Sequence, residues 1–123
     1  MSSKEEIVRY NTANPRTRIS AKVNEKSLML SIAGPLEHQS AADLMPVFSS
    51  LDKDLFPGAS LYVDLSAVNY ISSTGVGALS SAMIQSERCG IAFILIRVPG
   101  SILKVLDVLG LISYFKIEDG TRL

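Results

Sequence analysis

Three hydroxyl side chains stand next to one another at Ser72, Ser73 and Thr74, and two glycines follow at Gly75 and Gly77. The stretch before them reads as a buried strand and the stretch after them as a helix. A strand that leaves a sheet at its C-terminal end and enters a helix turns backbone N–H groups outward, where ligands and partners of α/β folds gather. A hydroxyl there can cap the helix, a role open to both Ser72 and Ser73. Serine occupies 17 positions, so a structural role is the default for any one of them. A hydroxyl can also be a nucleophile or receive a transferred group.

Nucleophilic catalysis needs an activating base. The only histidine is His38, and no motif links it to the hydroxyl cluster. A G-x-S-x-G elbow and a phosphate-binding P-loop are both absent. Catalysis therefore ranks last among the function classes, and no catalytic residue is assigned. One histidine and one cysteine make a metal cluster improbable and exclude an internal disulfide. No metal or other cofactor is expected.

The elements that must position the cluster follow from periodicity. Residues 1–16 are polar, end in Asn14-Pro15 and read as a loose lead-in; residues 17–123 read as one domain. Ile19, Ala21 and Val23 alternate with polar residues, and Leu28, Leu30 and Ile32 repeat the pattern after a polar turn, which predicts an antiparallel hairpin. Ser40 with Asp43 resembles a helix start, and Leu44, Val47, Phe48, Leu51 and Leu55 mark its buried face. Pro46 predicts a kink in that helix or a start near it.

Leu61, Val63 and Leu65 predict a third strand followed by a polar loop, with Asp64 at the strand end orienting that loop. Val76, Leu79, Met83 and Ile84 mark a helix ending at Cys89-Gly90, with Cys89 packed as a small apolar group. Ile91 to Ile96 is apolar on both faces, as in a central strand. Ser101 is placed to cap a last helix, Gly110 and Leu111 to end it in a Schellman motif. Tyr114 to Ile117 predicts a final strand. The order ββαβαβαβ gives an α/β fold, a mixed sheet with helices packed on it.

Composition narrows the function classes. Charges balance at 12 against 12 with no basic cluster, which argues against nucleic acid as a partner. The longest apolar run is too short to span a bilayer. Lys4, Glu5 and Glu6 have no apolar stretch behind them, so no signal peptide is expected. The expectation is a cytoplasmic protein without direct membrane insertion.

The cluster and its surroundings resemble the STAS domain, the fold of bacterial anti-sigma-factor antagonists. In that family a strand runs through D-L-S-x-V-x-[YF]-[IMV]-D-S-[ST]-G-[LV]-G. Asp64, Leu65, Ser66, Val68, Tyr70, Ile71, Ser73, Thr74, Gly75, Val76 and Gly77 match it in register. A second family element, G-x-L-[DE]-x-x-[ST]-A-x-x-L, is matched by Gly34, Leu36, Glu37, Ser40, Ala41 and Leu44. A third, G-L-x-x-x-F-x-I, is matched by Gly110, Leu111, Phe115 and Ile117. The resemblance covers about residues 17–119.

The resemblance implies a STAS-like sheet and a binding function. The family's phosphoacceptor carries over to Ser73. A serine-protein kinase of the anti-sigma type would phosphorylate it from ATP, and a serine phosphatase would reverse the reaction. The unphosphorylated chain would bind that anti-sigma factor, and phosphorylation would release it. Glu37, His38, Asn69, Ser72, Ser73, Thr74, Gly75 and Val76 are the implied partner-binding residues. One departure stands out: the family's aspartate before the acceptor is Ser72 here, which leaves Ser72 and Thr74 as rival acceptors. A non-switching accessory subunit of a lipid-transport ABC complex is the alternative that needs no acceptor.

Overall fold

The computed structural model describes residues 2–120. Helix α1 (Ser3–Ala13) precedes strands β1 (Arg18–Val23) and β2 (Ser27–Leu36). Helices α2 (His38–Ala42) and α3 (Leu44–Asp54) lead to β3 (Ser60–Ile71), followed by α4 (Ser73–Arg88), β4 (Ala92–Ile96), α5 (Gly100–Val108) and β5 (Lys116–Glu118). The strands form one sheet in the order β1-β2-β3-β4-β5, in which β1 is antiparallel to β2 and the other neighbours are parallel. This is the predicted mixed α/β sheet. β4 is an inner strand, and Phe93, Ile94, Leu95 and Ile96 are all buried.

Alternating residues of the inner strands build the core. Leu28, Leu30 and Ile32 of β2, Leu61, Val63 and Leu65 of β3, and Phe93 and Leu95 of β4 share one cluster with helix residues. Leu44, Val47, Phe48 and Leu51 come from α3, Leu79, Ala82 and Met83 from α4, and Ile102 and Leu106 from α5. Each large side chain so buried contributes about 1.5–3 kcal/mol. Phe48 and Phe93 fix helix to sheet with ring centroids 5.8 Å apart.

The structure corrects several sequence expectations. The lead-in is a helix: Ser2 and Glu5 form a capping box at its start, and Tyr10 is buried in the core. Asn11 then binds the outer edge of β1, donating to the Ile19 carbonyl at 2.9 Å and accepting from the Ile19 N–H at 2.8 Å. Beyond that clasp Ala21 and Val23 are exposed, although their alternation suggests burial. The last three residues of the expected 17–123 domain lie outside the described residues.

The helix expected from Ser40 is two helices that meet at Asp43. Pro46 falls in the first turn of α3, where its missing N–H removes no helical bond. Ser40 is not the N-cap; it is the third residue of α2, where its hydroxyl closes a capping box by accepting from the N–H of the N-cap Glu37 at 2.9 Å. Ser101 does not cap either, since Pro99 occupies the N-cap of α5. The Schellman motif is present, with the Leu111 N–H bound to the Leu106 carbonyl and the Gly110 N–H to Asp107. The last strand starts at Lys116, two residues later than expected. Cys89 is exposed, not packed.

The polar loop expected after Leu65 is the continuation of β3. Its pairing with β2 shifts register between Ser31 and Ala33 and again between Ala33 and Pro35. Each irregularity places one extra residue in β3, so its buried positions run Leu65, Val68, Ile71, at a spacing of three. Asp64 is consequently in mid-strand. Its carboxylate accepts from the Ser66 N–H and from Arg97 Nε at 3.1 Å, and does not reach the loop after β3. Burial opposes its ionisation, but the Ser66 N–H and the Arg97 guanidinium outweigh burial and hold its carboxyl below the usual range.

Candidate functional site

Two parallel strands end side by side, and each hands over to a helix. Leu36, the last residue of β2, pairs with Ile71, the last of β3. The Ser72 N–H extends that pairing by donating to the Leu36 carbonyl at 2.9 Å. The Glu37-His38 turn is thereby brought against Ser72-Ser73-Thr74, although 36 residues separate His38 from Thr74.

The three adjacent hydroxyls have three different situations. Ser72 is the N-cap of α4, and its Oγ accepts from the Gly75 N–H at 3.0 Å. Thr74 Oγ1 lies 3.1 Å from His38 Nδ1, with the donor set by the ring's tautomer. Ser73, at the first helical position, is exposed, and its hydroxyl makes no hydrogen bond among the described residues. Ser73 is thus the hydroxyl open to a partner or a transferred group.

Gly75 lets α4 approach the strand ends. A Cβ there would stand 2.6 Å from Ile71 Cγ1 and 3.3 Å from Leu36 Cβ. Gly75 and Val76 are buried beneath the surface, so of the expected contact residues these two support the site instead of facing outward. Asn69 and His38 are exposed, and Glu37 is half-buried. Arg16 pairs with Glu37 at 3.0 Å. No acidic residue lies in the first turn of α4. The site therefore has little net charge of its own.

A model of the STAS domain matches residues 18–122. The chain belongs to the STAS domain family. No curated protein sequence matches this STAS chain. Among solved structures, an anti-sigma factor antagonist from Mycobacterium paratuberculosis superimposes with a TM-score of 0.70 at 18% identity, covering 86% of this chain and 88% of that one. The anti-sigma factor antagonist SpoIIAA in its unphosphorylated form gives a TM-score of 0.68 at 16% identity, covering 85% and 90%. The Bacillus cell fate determinant SpoIIAA in its phosphorylated form gives 0.61 at 18%, covering 85% and 94%. At such identities these likenesses show a shared fold. α1 lies entirely before the matched STAS segment.

Two residues at the site escaped the sequence reading. Tyr70 is 53% exposed beside Asn69, an aromatic ring on the surface next to the hydroxyl cluster. Its place in the D-L-S-x-V-x-[YF] pattern was visible, but its outward direction depends on the irregular end of β3. Arg16 is reached only through its contact with Glu37, which no local pattern encodes. Among the described residues, no helix is long and apolar enough to cross a membrane.

Proposed function

We propose that the chain is an anti-sigma-factor antagonist that works by partner switching, with Ser73 as its phosphoacceptor. The observation that carries this reading is the division of labour among the three hydroxyls: Ser72 caps, Thr74 is held by His38, and Ser73 is exposed and uncommitted. The partner is an anti-sigma factor that is also a serine kinase, and the phosphoryl donor is ATP. Transfer forms a bond from Ser73 Oγ to the γ-phosphorus and breaks the bond to ADP, and the hydroxyl proton passes to a base of the kinase. A serine phosphatase hydrolyses the ester and restores the hydroxyl.

Serine in place of the family's aspartate at position 72 is compatible with this reading, because serine and aspartate cap helices about equally well. A phosphate of about −1.5 to −2 charge at the start of a helix is favoured by its own chain by roughly 0.3–1 kcal/mol. The fold can therefore tolerate the modification while a docking partner must desolvate it or meet it with like charge. The exposed Tyr70 ring offers that partner an apolar anchor beside the switch.

Incubation with kinases of this class and ATP should add one phosphate, read by intact mass, and Ser73→Ala should remain unmodified. In titrations, Ser73→Ala should bind the kinase as the wild type does and Ser73→Asp more weakly. Equal affinity of the two variants would overturn the switch.

A further inference from the structure

His38 is exposed, and its one hydrogen bond among the described residues is to a neutral hydroxyl, Thr74 Oγ1 at 3.1 Å. Its second ring nitrogen has no hydrogen bond among the described residues. Ser73 is the residue before Thr74, with its Cα about 3.8 Å away along the chain. We propose that His38 reads the phosphate within the chain: once Ser73 carries it, the imidazole leaves Thr74 and pairs with the phosphate oxygens. The modification is then registered on α2 as well as on α4. The inference rests on Ser73 being the acceptor.

The exchange is favourable because a hydrogen bond to an ionised acceptor such as phosphate is roughly twice as strong as one between neutral groups. Among the described residues few charges compete for the ring. Arg16 and Glu37 are already paired with each other at 3.0 Å. The first turns of α2 and α4 contain no acidic residue, and of the residues ending β3 only Tyr70 is titratable. Turning the ring alters the Glu37-His38 edge, so a partner docked there would meet a changed surface in addition to a new charge.

Phosphoserine placed at position 73 of the full chain by genetic encoding tests this without any kinase. The 31P signal is followed against pH in the wild-type background and in His38→Gln. With His38 present, the second ionisation of the phosphate should have its midpoint lower by about half a pH unit, as an opposite charge nearby on an exposed surface requires. The ring resonances of His38, the chain's only histidine, should move when the phosphate is installed. Arg16→Gln should leave the difference in place. Superimposable 31P curves for wild type and His38→Gln would overturn the proposal, as would a shift that disappears with Arg16 alone. Because the phosphate is encoded, this result is independent of kinase binding, and a failure of partner switching would show in the titrations with kinase instead.

Discussion

Ser86 donates a 2.7 Å hydrogen bond to Asp52 Oδ1 across the contact of α3 with α4, while Asp52 Oδ2 is buried with no partner among the described residues. Burial pushes the Asp52 carboxyl above its ordinary value, and the Ser86 hydroxyl offsets only part of that. A group whose folded value is raised stabilises the fold fully below its unfolded value and loses that contribution as the pH rises through the folded one. Above both values the core carries a half-satisfied carboxylate. Asp52→Asn removes the charge and keeps an acceptor for Ser86, so it should raise stability by about 1 kcal/mol at pH 7.5. The gain should shrink at pH 4. Urea denaturation at the two pH values measures it, and an equal gain at both would exclude the charge as the cause.

Tyr10 ties α1 to the rest of the fold. Its ring is buried, and its hydroxyl donates to the Ser40 carbonyl at 2.7 Å, two residues from His38. Tyr10→Phe should cost about 1 kcal/mol through the lost hydrogen bond. Tyr10→Ala should cost about 3–5 kcal/mol through the cavity left behind. An unchanged melting temperature in Tyr10→Ala would mean that α1 adds nothing to the fold.

The contrast between α1 and the sheet shows what the chain made legible. The alternation of β2 and β3 and the helical spacing of Val76, Leu79 and Met83 each report burial on a single face, and the sheet and α4 match them, whereas Ile84, expected on the same face, is exposed. α1 was missed because its buried residues are few and include Glu6 beside Tyr10, so polarity hides its face. The Ser2-x-x-Glu5 capping pattern was its only clear signal. The end of β3 was missed because two register shifts break the period of two, which no local pattern announces. At the site, the family pattern singles out Ser73 and the Ser72 cap is local, but other features depend on contacts between segments far apart in the chain. His38 on Thr74 is such a contact, and Arg16 on Glu37 is another.

Gly75 and Gly77 lie two residues apart in α4 and should respond to alanine in opposite directions. At Gly75 the added Cβ would meet Ile71 Cγ1 at 2.6 Å, at the branch of a buried side chain with little room to move. Gly75→Ala should destabilise by about 1–3 kcal/mol, as overpacking does. At Gly77 nothing lies within 4 Å of the added Cβ. Gly77→Ala should stabilise by about 0.5–1 kcal/mol through helix propensity alone. Thermal unfolding of the two variants is the check, and a Gly75→Ala variant as stable as the wild type or more so would show that Gly75 is not sterically required.

The three hydroxyls should separate by stability before any partner is added. Ser72→Ala removes the oxygen that accepts the Gly75 N–H and should cost about 1 kcal/mol, the usual loss for a helix cap. Ser72→Asp keeps an acceptor in that place and should restore most of it. Thr74→Val removes a single exposed hydrogen bond to His38 and should cost less than Ser72→Ala. Ser73→Ala breaks no hydrogen bond among the described residues and should be nearly neutral, since alanine is also the better helix former. The ordering matters more than the magnitudes, because a residue that is modified and restored in turn has to be one on which the fold does not depend. Denaturant midpoints that ranked Ser73→Ala as the most damaging of the three would give Ser73 a structural role and return Ser72 and Thr74 to contention as acceptors.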